Sequence, residues 1–450
     1  MISPRVPATA EVSRRSPRRS AATDRGTEKK RLSAYTGERA ATFALCRQLA
    51  ALLTATFGDL CEEASMIGAE MQQDVIACCR DLVRARSLAG REREAAEAAE
   101  RWMRRLGYDV VSVDRYGSVV GIIHGRAPGP HIHLDGHLDT VPATTLELWT
   151  HEPYGAELSD GKIWGRGATD MKGPLAAMIC AAASLDRARI RGTISVSASV
   201  AEEELEGPAL NAIIAERRPD LMIIGESTML QAGIGQKGRA GIRVTTHGRP
   251  AHSSVPHKGD NAVYRMMDVI ARLRAIEAPH DTLLGAGVME LVEIVSSPYP
   301  GTSIVPDRCD VRWDRRLVRG ETRASVLEGI RAALGGLDQV GVAYLDVTVL
   351  CYTGATLRSD DFHPAWEIHP EHELVRAALR AAETAGVEPR TCTIAYCTNG
   401  SGSAGDLGIP SIVIGPGDAA QFHVVDEYIS VDQLTRGVAV YATMLAHLAG

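Results

Sequence analysis

The stretch Pro130–Pro142, PHIHLDGHLDTVP, packs three histidines and two aspartates into a run that otherwise reads as strand. Ile132, Leu134 and Leu138 suit a buried strand, and Gly136, Thr140 and Pro142 mark where the chain leaves it. In α/β folds such strand ends are where sites form. Taken alone, a His-x-Asp pair is more readily a strand with solvated imidazoles, so the rest of the chain must decide.

Outward from this stretch, 450 residues offer length for two or three domains, and 45% hydrophobic with 23% charged residues is the balance of a globular protein. A formal net charge of -7, with no basic stripe beyond the N-terminal tail, argues against a nucleic-acid binder. The nine cysteines are odd in number and form no disulfide framework, which points to a reducing cytoplasm. No apolar run approaches the roughly 20 residues that span a bilayer. Residues 1–65, with Arg14, Arg15, Arg18, Arg19, Lys29, Lys30 and Arg31 among Ser, Thr and Pro, are expected to be a disordered tail, a signal, or an extension ahead of a start near Met66.

From Met66 the pattern becomes globular. Helices are expected over 72–85 and 91–106, strands over 109–113 and 118–124, then the opening strand. An Ala-rich helix over 172–185, a strand over 192–200, a helix over 207–216 and a strand over 220–225 complete a first α/β part, residues 66–237. Residues 238–352 change character. Strands at 239–247, 288–295, 308–316 and 342–350 and helices at 260–276 and 322–334 follow the β-α-β-β-α-β order of a ferredoxin-like α+β sandwich. Residues 353–450 resume the first pattern, so a mixed-sheet α/β domain is split around an insert.

Acids and histidines recur at the expected strand ends beside glycine: His137 and Asp139 in GHLD, Asp170 in GRGATDMKG, Glu202 and Glu203 in VAEEELEG, Glu226 in IIGEST, and His423 after IGPG. Two histidines with several carboxylates suit zinc in an open site, and one carboxylate shared by two metals would form the clamp of two-metal hydrolases. Singly each signal is weak, because glycine beside an acid usually marks a turn and an acidic triplet usually a solvated helix start.

In order and context, VAEEELEG, GRPAHSSVPHKGDNAV, DRRLVRGET and CTNGSGSAGDLGIPSIVIGPG resemble the di-zinc hydrolases that include acetylornithine deacetylase, succinyl-diaminopimelate desuccinylase, aminoacylase and glutamate carboxypeptidase. Within these the chain looks nearest to the YgeY-type hydrolases linked to selenium metabolism. The likeness runs from about Met66 to Gly450. It implies a zinc-peptidase catalytic domain carrying an inserted dimerisation domain, a homodimer, and two Zn2+ per chain with Mn2+ or Co2+ as alternatives.

Residue by residue, the resemblance implies that His137, Asp170 and Glu226 hold one metal and Asp170, Glu203 and His423 the other, with Asp170 bridging. Asp139 would fix the His137 tautomer. Counting ten and eleven residues from Gly192, as the family's spacing has it, makes Glu202 the general base and Glu203 the ligand, and leaves Glu204 solvated. The peptide after Asp170 would be cis. His252 would reach the partner subunit's site as an oxyanion donor, and Arg316 would grip a substrate carboxylate. Asn261 and Asn399 are candidate substrate contacts, Asn261 being equally suited to a helix N-terminus. Ser303 stands where many members have Asn, which puts one amide contact in doubt.

His131 and His133 have no place in that site, nor do His363, His369 and His372, which read as a surface loop before a helix. Cys397 lacks an activating base and reads as a buried thiol. No phosphate-loop or dinucleotide fingerprint occurs. The implied reaction is hydrolysis of a peptide or N-acyl amino acid. Competing expectations are a manganese-dependent N-carbamoyl or allantoate-type amidohydrolase, and a catalytically silent dimeric binding protein on the same fold.

Overall fold

A computed structural model describes residues 68–450. The expected N-terminal tail lies outside the described residues. Two helices open the described chain, α1 (Ala69–Arg84) and α2 (Arg93–Arg105). The apolar stripe of α2 is made of Ala95, Ala98, Ala99, Trp102 and Met103, all buried, while its arginines and glutamates face outward.

The central sheet contains β1 (Val110–Val113), β2 (Val119–His124), β3 (His131–His137), β4 (Thr193–Ser199), β5 (Leu221–Ile224) and β6 (Ala232–Gln236). Between β3 and β4 run helix α3 (Gly173–Ala183) and a small sheet that includes Lys162–Trp164, and α4 (Pro208–Glu216) joins β4 to β5. The alanines of α3 are almost all buried, so this helix packs tightly against the sheet. β3 lies parallel to both β4 and β5, with Ile132 and Leu134 fully buried. A run buried on both faces is what a parallel strand requires.

β6, AGIGQ, carries no strand signal in its sequence. Cβ atoms at Gly233 or Gly235 would lie about 3 Å from the carbonyl oxygens of Val413 and Trp366 in the neighbouring strands. Close approach, and not side-chain propensity, puts this segment in the sheet.

The second sheet is built from β7 (Gly238–His247), β8 (Val288–Ser297), β9 (Arg308–Leu317) and β10 (Val340–Tyr344), in the order β8-β9-β7-β10, all antiparallel. Helices α5 (Ala262–Arg274) and α6 (Arg323–Ala333) cover one face, around a core of its own centred on Ile242, Met266 and Trp313. This is the ferredoxin-like arrangement that the element order implied.

The expected strand over 342–350 is two strands. Leu345, buried between them, donates its amide to Gly241 and accepts from Asp361, and Asp346–Leu350 pairs instead with Thr356–Asp360. β11 (Phe362–His363) still pairs with β7. The chain then returns to the central sheet through β12 (Trp366–Glu367), helix α7 (Glu373–Thr384), β13 (Thr391–Ile394) and β14 (Ser411–Val413), and ends in helix α8 (Val431–Ala449). The central order is β1-β2-β4-β3-β5-β14-β6-β12, with β13 also on β6. Among the described residues no helix is long and apolar enough to cross a membrane, and the seven cysteines described are free thiols.

Candidate active site

Strands β3, β4, β5 and β14 run parallel, so their carboxyl ends share one edge of the sheet. His137 ends β3. Glu202 and Glu203 follow β4, Glu226 follows β5, and His423 lies beyond β14. Asp170 joins them from the turn before α3, at a cis Asp170–Met171 peptide.

Two clusters result, His137 with Asp170 and Glu226, and Asp170 with Glu203 and His423. Asp170 belongs to both through different oxygens. Its Oδ1 is 3.2 Å from His137 Nε2 and its Oδ2 is 3.2 Å from His423 Nε2. Glu226 Oε1 stands 3.5 Å from His137 Nε2, and Glu203 Oε2 3.2 Å from His423 Nε2. Glu202 is beside them, its Oε2 3.8 Å from the His137 ring.

The electrostatics of this cluster call for cations. Glu202 Oε1, Glu203 Oε1 and Glu226 Oε2 are buried without a hydrogen-bond partner. Burial, followed by the charge of Asp170, pushes Glu203 up to about 7. Burial likewise raises Glu202 and Glu226, with neighbouring carboxylates adding to it. Hydrogen bonds to Asp170 and Glu203 lift His423 to about 10. Nitrogen and carboxylate oxygen donors without a thiolate, in two sets that share one aspartate, fit a pair of divalent metal ions.

The cleft above the cluster measures about 250 Å³ and is lined further by Glu206, Arg239, Arg316, Tyr396, Cys397 and Phe422. Arg316 reaches it from β9, while Arg315 turns to the other face and binds Glu321.

A model of peptidase family M20/M25/M40 matches residues 133–447. The chain belongs to this family. It is 31% identical over 387 residues to the uncharacterized protein YgeY of Escherichia coli (strain K12), across 83% of this chain and 94% of that one. It is also 27% identical over 407 residues to succinyl-diaminopimelate desuccinylase of Rhodospirillum centenum, across 83% and 97%. Among solved structures, the M20 family metallo-carboxypeptidase Sso-CP2 of Sulfolobus solfataricus superposes with a TM-score of 0.67 at 16% identity, covering 83% of this chain and 98% of that one. Like its family, this M20 chain is a metal-dependent hydrolase of amide bonds.

Several expected roles are redistributed by the structure. The Asp139 carboxylate stays 3.7 Å from His137 Nδ1, and it is the Asp139 backbone carbonyl that accepts from that nitrogen, at 2.8 Å. A proton held on Nδ1 leaves Nε2 as the ligand atom. The carboxylate itself accepts from the amides of Glu202 and Glu203, at 3.0 and 2.9 Å. Asn399 does not line the cleft. It is buried, donates to Asp135 at 2.8 Å and accepts from the Gly207 amide at 2.7 Å. Asn261 caps α5 through the Val263 amide. His252 is exposed, bonded to Ser254, and does not line this chain's own cleft.

The structure departs from expectation at His363 and adds Glu92 and Glu427. His363 is buried, 3.1 Å from Asp361 and 3.4 Å from Glu206, not part of a surface loop; its neighbours in β7 and the Glu202–Gly207 loop enclose it. His372 caps α7. Cys397 lines the cleft, but burial pushes its thiol well up. Glu427 is fully buried, pairs with Arg166 at 2.6 Å, and accepts from the amides of Gly167, Thr169 and Asp170. Glu92 accepts from the Ala201 amide, just before the glutamate pair. In sequence Glu92 looks like one more solvated acid in REREAAE. Glu427, four residues after His423, was the more findable of the two.

Proposed function

We propose that the chain is a di-zinc peptidase or deacylase that cleaves a peptide or N-acyl amino acid bearing a free carboxylate. The observation that carries this reading is the paired cluster: two sets of nitrogen and oxygen donors sharing Asp170, with Glu202 beside them and three buried carboxylate oxygens unpartnered. His137, Asp170 and Glu226 would hold one ion, and Asp170, Glu203 and His423 the other. When bound, the ions supply Lewis acidity and lower the pKa of water.

Glu202 is the base. Buried beside the cluster, with its Oε2 3.8 Å from the His137 ring, it takes a proton from the attacking water and returns it to the departing amine. Arg316, held only loosely by Asp314 at 3.4 Å, is available to a substrate carboxylate. The mechanism needs an oxyanion donor, and His252 of a second copy supplies it. β8 supports such a dimer: it is an edge strand whose Val288, Val292, Ile294 and Val295 are 42–54% exposed. With seven free thiols described, we place the enzyme in the cytoplasm.

The test is a pair of variants. Glu202→Gln should keep close to two metals per chain by elemental analysis and lose turnover, by roughly a hundredfold or more. Glu203→Ala should lose metal. The reverse behaviour would mean that the two glutamates exchange roles, and a metal-free enzyme that still hydrolyses amides would overturn the reading. A screen of dipeptides against N-acetyl, N-succinyl and N-carbamoyl amino acids then identifies the substrate.

A further inference from the structure

The polar side chains of β3 that the site does not use form one connected structure with β4. His131 Nε2 lies 2.7 Å from Ser195 Oγ, Ser195 Oγ 2.7 Å from His133 Nδ1, and His133 Nε2 2.7 Å from Ser197 Oγ. Ser197 Oγ then donates to Asp135 Oδ1. Parallel register makes this ladder, because His133 stands beside Ser195 and Asp135 beside Ser197, and every second residue shares a face. His133, Asp135, Ser195 and Ser197 are all at most 2% exposed.

Ser197 Oγ gives its one hydrogen to Asp135, and for a neutral His133 the direction of the other bonds follows. Ser197 donates to Asp135, His133 donates through Nε2–H to Ser197, Ser195 donates to His133 Nδ1, and His131 donates to Ser195. The ladder thus holds His133 as one neutral tautomer. Burial agrees, lowering its pKa to about 3.

The other oxygen of Asp135 accepts from Asn399 Nδ2 at 2.8 Å, and Asn399 Oδ1 accepts from Gly207 N at 2.7 Å. Gly207 closes the loop that begins at Ala201 and carries Glu202 and Glu203. That loop starts strained, Ala201 having φ 60°. Its near end is held by Asp139. Its far end is held by Asn399.

We propose that Asn399 is a positioning residue for Glu202, that Asp135 orients it, and that the histidine–serine ladder of β3 and β4 fixes Asp135. The proposal rests on Glu202 being the base. It assigns His131, His133 and Asn399 to alignment of the base, with no contact to substrate.

The test uses the full, metal-loaded enzyme. Asn399→Ala and Asp135→Asn should keep metal content and KM while lowering kcat by roughly ten- to hundredfold, the range for residues that orient a site from behind. The exchange variant, Asp135→Asn with Asn399→Asp, restores the donor–acceptor pair and should recover most of kcat. Ser197→Ala, remote from the cleft, should lower kcat by a smaller factor. Nitrogen-15 spectra should show the Nε2–H tautomer at His133, and lose it in Ser197→Ala.

Wild-type kcat in Asn399→Ala, loss of metal from it, or a raised KM with unchanged kcat would each overturn the proposal. Should Asn399→Ala fail to fold, the exchange variant and Ser197→Ala decide: no recovery in the first, or an unchanged kcat and tautomer in the second, overturns it. Failure of the underlying reading looks different, since Glu202→Gln would then remain active whatever Asn399→Ala does.

Discussion

At the scale of single residues, the ligand set depends on buried charges that hold its backbone from behind. Glu427 lies under the turn that carries Asp170, and its carboxylate neutralises Arg166 while satisfying three backbone amides. Removing one partner of a buried pair leaves the other charge uncompensated. Glu427→Ala should therefore destabilise the fold by about 3 kcal/mol in urea unfolding and weaken metal retention. Glu92 acts with the opposite sign. Burial, followed by the charge of Asp139, raises it to about 7. A carboxyl whose folded pKa exceeds its unfolded value contributes stability that is complete below the unfolded value, near 4.3, and lost as pH rises through 7. Glu92→Gln keeps the acceptor for the Gly90 and Ala201 amides and does not titrate. It should gain stability relative to the wild type between pH 5 and pH 8, on the order of 2 kcal/mol. Equal unfolding midpoints for the two proteins at both pH values would refute this.

At the scale of elements, periodicity works where one face is buried and fails where backbone proximity decides. The helices were legible because their apolar stripes are continuous, as in α2 and α7. β6 was not, since its glycines are chosen for close approach to Val413 and Trp366 and carry no hydrophobic signal. The run over 342–350 looked like one strand because β-branched residues recur along it. Only the pairing of Leu345 with Gly241 and Asp361 shows that it divides. Edge strand β8 yields a prediction at this scale. Ile294→Lys places a charge on its exposed apolar surface and, on the proposed dimer, should shift the protein to monomer in sedimentation. Activity should fall with it, through His252. A monomeric variant with full activity would remove the second subunit from the mechanism.

At the scale of the whole molecule, the cluster concentrates like charges at the edge of a sheet whose strands come from both ends of the described chain. Without cations, Glu202, Glu203 and Glu226 repel one another inside the protein. Metal that binds only the folded state stabilises it by about 2.7 kcal/mol at a hundredfold excess over Kd. Chelation should lower Tm by several degrees, and zinc or manganese should restore it. An unchanged Tm on chelation would show that the cluster is satisfied without metal.

The sequence by itself determined the split α/β fold, the ferredoxin-like insert, and which acids and histidines stand at strand ends, because those follow from periodicity, turn residues and order along the chain. Tertiary structure alone decided what each polar group touches. Asp135, His133 and Asn399 became one hydrogen-bonded ladder, Asp139 turned from the His137 ring to the glutamate amides, and Glu92 and Glu427 emerged as supports. The physical reason is that hydrogen-bond partners distant in sequence are set by strand register and sheet order, and neither is written locally in the chain. PHIHLDGHLDTVP shows the division well: its pattern placed a strand with His137 at the end, but only the neighbouring serines of β4 gave its other polar residues a role.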